Sequence, residues 1–151
     1  MGKLFNFLYH PFVWVLLLLF IAFYPMLISI YVFLPLFIGI MGYIMILGIE
    51  TGKWHYVLFS IIYFINLEAN LSLPFFITII ASLLVYVLFY QSLAYFRRCH
   101  VCRPVLLVIL IDTFYLGLLL GYDFIFQSVS VVLDTILFYS LIVDILVVMT
   151  L

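Results

Sequence analysis

Two aspartates, Asp112 and Asp134, carry the spacing in this chain that points most directly to chemistry. They lie at equal distances in sequence on either side of Asp123. If the chain turns near Asp123, an antiparallel pair of helices brings both carboxyls to one depth, about 16 Å from the turn at a rise of ~1.5 Å per residue. That is close to the middle of a bilayer, where an aspartate costs roughly 2.5–3.5 kcal/mol to insert. Nearby Leu, Ile, Val and Phe residues offset this at about −0.4 kcal/mol each. On a helix beginning at this turn, Asp123, Gln127, Ser130, Asp134 and Asp144 fall within about 100° of arc. Such a stripe must face protein or water. It fits a proton or cation path, a polar groove that docks a partner's transmembrane helix, or carboxyls held neutral or hydrogen-bonded inside a bundle. No Lys or Arg lies at matching depth, so neutral carboxyls are the default expectation.

Other residues offer less. Thr113, Gly117 and Gly121 recur every fourth residue, and Gly117–Gly121 is a GxxxG pattern. Small residues at that spacing let helix backbones approach closely, against either a helix of the same chain or one of another chain. Thr78, Ser82, Tyr86 and Tyr90 repeat the spacing and are expected to pack. Cys99-His100-Val101-Cys102 gives at most three of the four ligands a zinc site needs. A quinone-linked thiol oxidase would require a second cysteine pair, and the chain has only two cysteines. A basic flank puts this loop in a reducing cytoplasm, so the cysteines are expected to be incidental thiols. His10 and His55 have no serine or carboxylate at triad spacing. Glu68, flanked by Asn66 and Asn70, is expected in an outer loop, facing water or contacting an extracytoplasmic partner. No phosphate loop or HExxH motif is present, so the sequence gives no argument for catalysis, a metal or a cofactor.

These side chains must be positioned by an unusually apolar set of elements. Of 151 residues, 71% belong to AVILMFWYC, against five basic and six acidic residues. Leu4 to Ile49 contains no Asp, Glu, Lys or Arg. So few charges cannot cover a soluble globule, which excludes a soluble enzyme, a nucleic-acid-binding domain and a disordered chain. The apolar run after Lys3 is too long for a cleaved signal peptide and reads as a retained first helix. Breaks at Pro11, Pro25 to Pro35, Glu50 to His55, Glu68 to Pro74, Arg97 to Pro104 and Gly121 to Asp123 divide the chain. The resulting spans are roughly 11–29, 33–49, 55–68, 74–96, 104–122 and 124–150. The first boundary can fall at Pro25, Ser29 or Pro35. The short second and third spans imply tilt, thinning or burial among neighbours.

The expected fold is therefore an all-α polytopic membrane protein: one transmembrane domain over 1–151, a compact bundle of about six helices with short loops. With six crossings, Lys3, Lys53, Arg97, Arg98 and Arg103 share one side, which places both termini in the cytoplasm. Trp14 and Trp54 then lie near the cytoplasmic interface, where indoles prefer to sit.

The order of these marks resembles the rod-shape-determining MreD family of bacteria. The resemblance runs from Val32 to Asp123. It rests on the Phe33-Leu34-Pro35 entry to the second helix, the polar turn at Glu50–Lys53 and a third helix ending at Glu68. A small polar turn, a long fourth helix, the basic turn at Arg97-Arg98 and a fifth helix with the central acid Asp112 complete it. The family usually has aspartate and glycines where this chain has Glu68, Ser72 and Pro74, and often a charged cytoplasmic tail. The resemblance implies a non-enzymatic scaffold of the cell-elongation machinery in the bacterial inner membrane. Its implied partners are MreC and the elongation-specific peptidoglycan synthases, reached through polar and small-residue helix faces. The alternative is a small-solute-binding subunit or an ion- or proton-conducting bundle that uses Asp112 and Asp134.

Overall fold

A computed structural model describes residues 11–31, 34–95, 102–127 and 134–150. They form six helices: α1 (Pro11–Ile30), α2 (Ile38–Thr51), α3 (Trp54–Asn70), α4 (Ile77–Tyr95), α5 (Cys102–Phe126) and α6 (Asp134–Thr150). No strand occurs among the described residues. One helix, α5, is long and apolar enough to cross a membrane. Shorter apolar helical stretches cover Val15–Ile30, Ile38–Thr51, Ile77–Phe89 and Phe138–Thr150.

The shortest helix organises the bundle. α2 packs against α3, α4, α5 and α6, while α1 lies on α3. A helix apolar on all sides belongs in the interior, and eight of the 14 residues of α2 are buried. Ile38, Met41, Met45 and Ile46 of α2 join Tyr63, Phe64 and Leu67 of α3 and Leu107, Ile111 and Tyr115 of α5 in one core. Glycine permits the closest approach: a Cβ on Gly39 would stand 2.6 Å from Val108 Cγ1. α2 ends at Gly52, whose left-handed φ of 68° lets its N–H reach the carbonyls of Gly48 and Ile49.

Two boundaries differ from the sequence expectation. The second helix begins at Ile38, after the Phe33-Leu34-Pro35 entry, and Phe37 before it takes the left-handed conformation. The fifth helix does not turn at Asp123. It runs on to Phe126, and Asp123 is buried on its last turns. Pro25 marks no boundary either, for α1 continues through it to Ile30.

Arg103 and the Glu50–Lys53 turn meet at one end. Both terminal nitrogen contacts of the Arg103 guanidinium go to Glu50, which joins the start of α5 to the last turn of α2. Lys53 follows in the α2–α3 turn. Lys3, Arg97 and Arg98 lie outside the described residues.

Candidate functional site

The polar side chains of the interior are used to repair a broken backbone. Pro25 has no N–H to give to the carbonyl of Ile21, its normal partner one turn earlier. The amide of Asn66, on α3, donates instead to Ile21 O at 3.0 Å and to Ala22 O at 3.1 Å. The connection between α1 and α2 is repaired in the same way. Tyr24 donates its hydroxyl to Pro35 O at 2.7 Å, and Tyr63 donates to Leu36 O at 2.7 Å. The N–H of Leu36 donates to Ser140 Oγ at 2.9 Å. That of Gly39 donates to Asp144 Oδ2, also at 2.9 Å. Phe37, at the cap position of α2, has no side-chain acceptor of its own. Ser140 and Asp144, one turn apart on α6, supply what it lacks.

Glu68 does likewise for the start of α4. It is fully buried in the last turn of α3, which corrects the expectation of a water-facing or partner-facing loop acid. Its carboxylate accepts the N–H of Phe76 at 2.6 Å, the N–H of Thr78 at 2.9 Å and the Thr78 hydroxyl. The acid therefore caps α4, where negative charge meets the positive end of the helix dipole. Ser82 donates to its own Thr78 carbonyl at 2.8 Å.

One pair remains after this repair. Asp112 and Asp144 both face Gly39, and a Cβ there would stand 2.9 Å from Asp112 Oδ2 and 3.0 Å from Asp144 Oδ2. At ~1.5 Å per residue, Gly39 is about 18 Å from the Thr51 end of α2, and Asp112 about 15 Å from the Cys102 end of α5. The carboxyl that pairs with Asp112 is thus Asp144, where the sequence pointed to Asp134. The physical reason is the later turn. With α5 extended to Phe126, Asp134 becomes the first residue of α6 and Asp144 its mid-depth residue.

No family model, curated protein or solved structure matches the chain.

The expected stripe of five polar residues is divided by the same shift. Asp123 belongs to α5, and Gln127 is exposed just after it. Asp134 and Asp144 belong to α6, and Ser130 lies outside the described residues. Thr113, Gly117 and Gly121 do lie on one helix, but they are exposed, and nothing comes within 4 Å of a Cβ at either glycine. Their expected partner within the chain is absent among the described residues. Thr78 and Ser82 are buried as packing residues, while the side chain of Tyr90 is outside the description. Cys102 is disulfide-bonded and not a thiol as expected; Cys99 and His10 lie outside the described residues. His55 is exposed at the start of α3. Among the described residues, no three His, Cys, Asp or Glu side chains come together.

Sequence reasoning overlooked Asn66, Tyr24, Tyr63 and Ser140. A signal existed for Asn66: a proline inside an apolar helix leaves a carbonyl that some other donor must reach.

Proposed function

We propose that this chain is a six-helix integral membrane protein that works by assembling with other membrane proteins, as a non-enzymatic scaffold. The observation that carries the reading is the outer face of α5. Thr113, Gly117 and Gly121 line the longest helix, and among the described residues no helix covers them. Packing of small residues drives helix association in lipid, where apolar surface alone gives no gain. Leu120 and Phe124 beside them are 45% and 88% exposed. A bilayer accounts for that apolar exterior, since a soluble monomer rarely exposes a contiguous apolar surface of such extent. The buried polar groups are meanwhile spent largely on the protein's own backbone, as an anhydrous surrounding demands. The resemblance to the MreD family adds the setting: cell elongation at the bacterial inner membrane, with MreC and peptidoglycan synthases as partners.

Copurification of the tagged chain from native membranes in mild detergent, followed by mass spectrometry, tests the reading. The paired substitutions Gly117→Leu and Gly121→Leu are expected to lower partner yield several-fold at equal expression. Both positions are open, so the bundle itself should fold. An unchanged yield of partners would remove α5 as the docking face, and a chain that purifies alone would overturn the scaffold.

A further inference from the structure

Asp112 and Asp144 both approach Gly39 at the start of α2, and each keeps one carboxyl oxygen without a hydrogen-bond partner. Asp112 is 6% exposed and Asp144 fully buried. One oxygen of Asp144 is occupied by the Gly39 N–H. Asp144 Oδ1 and Asp112 Oδ2 have no hydrogen-bond partner. Buried polar atoms in folded proteins are nearly always paired, so two such orphans at one point call for a missing positive group. Two carboxylates this close in a medium of low dielectric cannot both stay charged without one.

Among the described residues no side chain supplies that group. α1 and α3 bring Tyr24 and Tyr63, whose hydroxyls are given to Pro35 and Leu36. α4 brings Ser82, whose hydroxyl is given to Thr78. α6 itself brings Ser140, which accepts from Leu36. α5 brings Tyr115, which is 1% exposed, lies within electrostatic reach of Asp112 and Glu68, and has no partner for its hydroxyl. The cations Lys53 and Arg103 sit at the far ends of α2 and α5. Gly39 keeps the gap open, because any Cβ there would fill it.

We propose that Asp112 and Asp144 form a mid-bundle binding site for one small monocation, a proton or a sodium ion, held between Asp112 Oδ2 and Asp144 Oδ1. Either occupant has the same chemistry, a single positive charge shared by two carboxyl oxygens. The site rests on the geometry around Gly39 and requires no partner protein, so it stands apart from the scaffold role.

Thermal unfolding of the purified full chain in detergent separates the occupants. Sodium chloride is titrated against potassium and choline chloride at constant ionic strength, and pH is varied separately. A bound sodium ion raises the midpoint by roughly 5 °C over potassium. A shared proton leaves the salts equivalent and lowers the midpoint as rising pH removes it. Asp112→Asn, a near-isosteric change that keeps a hydrogen-bonding group, abolishes either dependence. As a readout free of any variant, the infrared carbonyl band of a protonated carboxyl in the wild-type chain appears for the proton and is lost at high pH. A midpoint indifferent to sodium and pH, with no such band, overturns the site. So does a dependence that Asp112→Asn leaves intact.

Discussion

Asn66 and Pro25 form a pair that neither residue explains alone. A proline in the interior of α1 deletes one intrahelical hydrogen bond and exposes the Ile21 carbonyl. In water that carbonyl would be solvated, but inside a bundle it needs a protein donor, and the Asn66 amide is in place. The same logic governs Glu68, Ser140 and Asp144, each of which answers a backbone group left open by a helix end. Composition alone showed these to be the rare polar residues of an apolar chain. It could not show what they bond, because each partner is a main-chain atom of a different helix. A double-mutant cycle tests the repair at Pro25. Asn66→Ala in the wild-type chain is expected to lower stability by roughly 1–2 kcal/mol, since it orphans a carbonyl. In a Pro25→Ala background the restored N–H bonds Ile21, and the same substitution should cost about 1 kcal/mol less. Reversible unfolding in detergent measures both. Equal losses in the two backgrounds would show that Asn66 serves something other than the proline break.

Helix number was legible at the scale of elements because charges, prolines and glycines interrupt an otherwise apolar chain. Helix ends were less so. The polar triplet Gly121-Tyr122-Asp123 reads as a turn, yet α5 continues through it with Asp123 buried and Gly121 exposed. The helix stops instead at Gln127, which takes a positive φ of 52°. Left-handed backbone is disfavoured for a residue with a Cβ by roughly 1–2 kcal/mol, and glycine is free of that penalty. Gln127 is exposed, so its replacement sacrifices little packing. Gln127→Gly should therefore stabilise the protein by about 0.5–1 kcal/mol, a rise of roughly 2–4 °C in the unfolding midpoint. A midpoint that falls or stays fixed would mean that α5 does not end in this conformation. That result would bear on Asp144 as well, because the late end of α5 is what carries Asp144, in place of Asp134, to the level of Asp112.

Across the whole molecule, the Glu50–Arg103 contact ties the end of α2 to the start of α5. An exposed ion pair of this kind contributes little to stability, typically under about 1 kcal/mol. Its value is as a marker of geometry: Arg103 and the Glu50–Lys53 turn lie at one end of the bundle. From Lys53 in the α2–α3 turn to Gln127 after α5, the chain passes through α3, α4 and α5. In the proposed six-span bundle these are three crossings, which put the two positions on opposite sides of the bilayer. For that bundle the positive-inside bias predicts Lys53 on the cytoplasmic side and Gln127 outside. Single-cysteine labelling reads this directly in a background where Cys99→Ser and Cys102→Ser remove the native sulfurs. A membrane-impermeant maleimide added to intact spheroplasts should modify the Gln127→Cys chain and spare the Lys53→Cys chain until the membrane is permeabilised. Labelling of both from outside would break the three-crossing path between them. Labelling of the Lys53→Cys chain alone would keep that path and invert the bundle. In the inverted case Cys102 faces an oxidising compartment, where its disulfide is expected to persist. With the basic end inside, the same bond meets the cytosolic thiol pool, and rapid acid quenching followed by alkylation should capture Cys102 in reduced form.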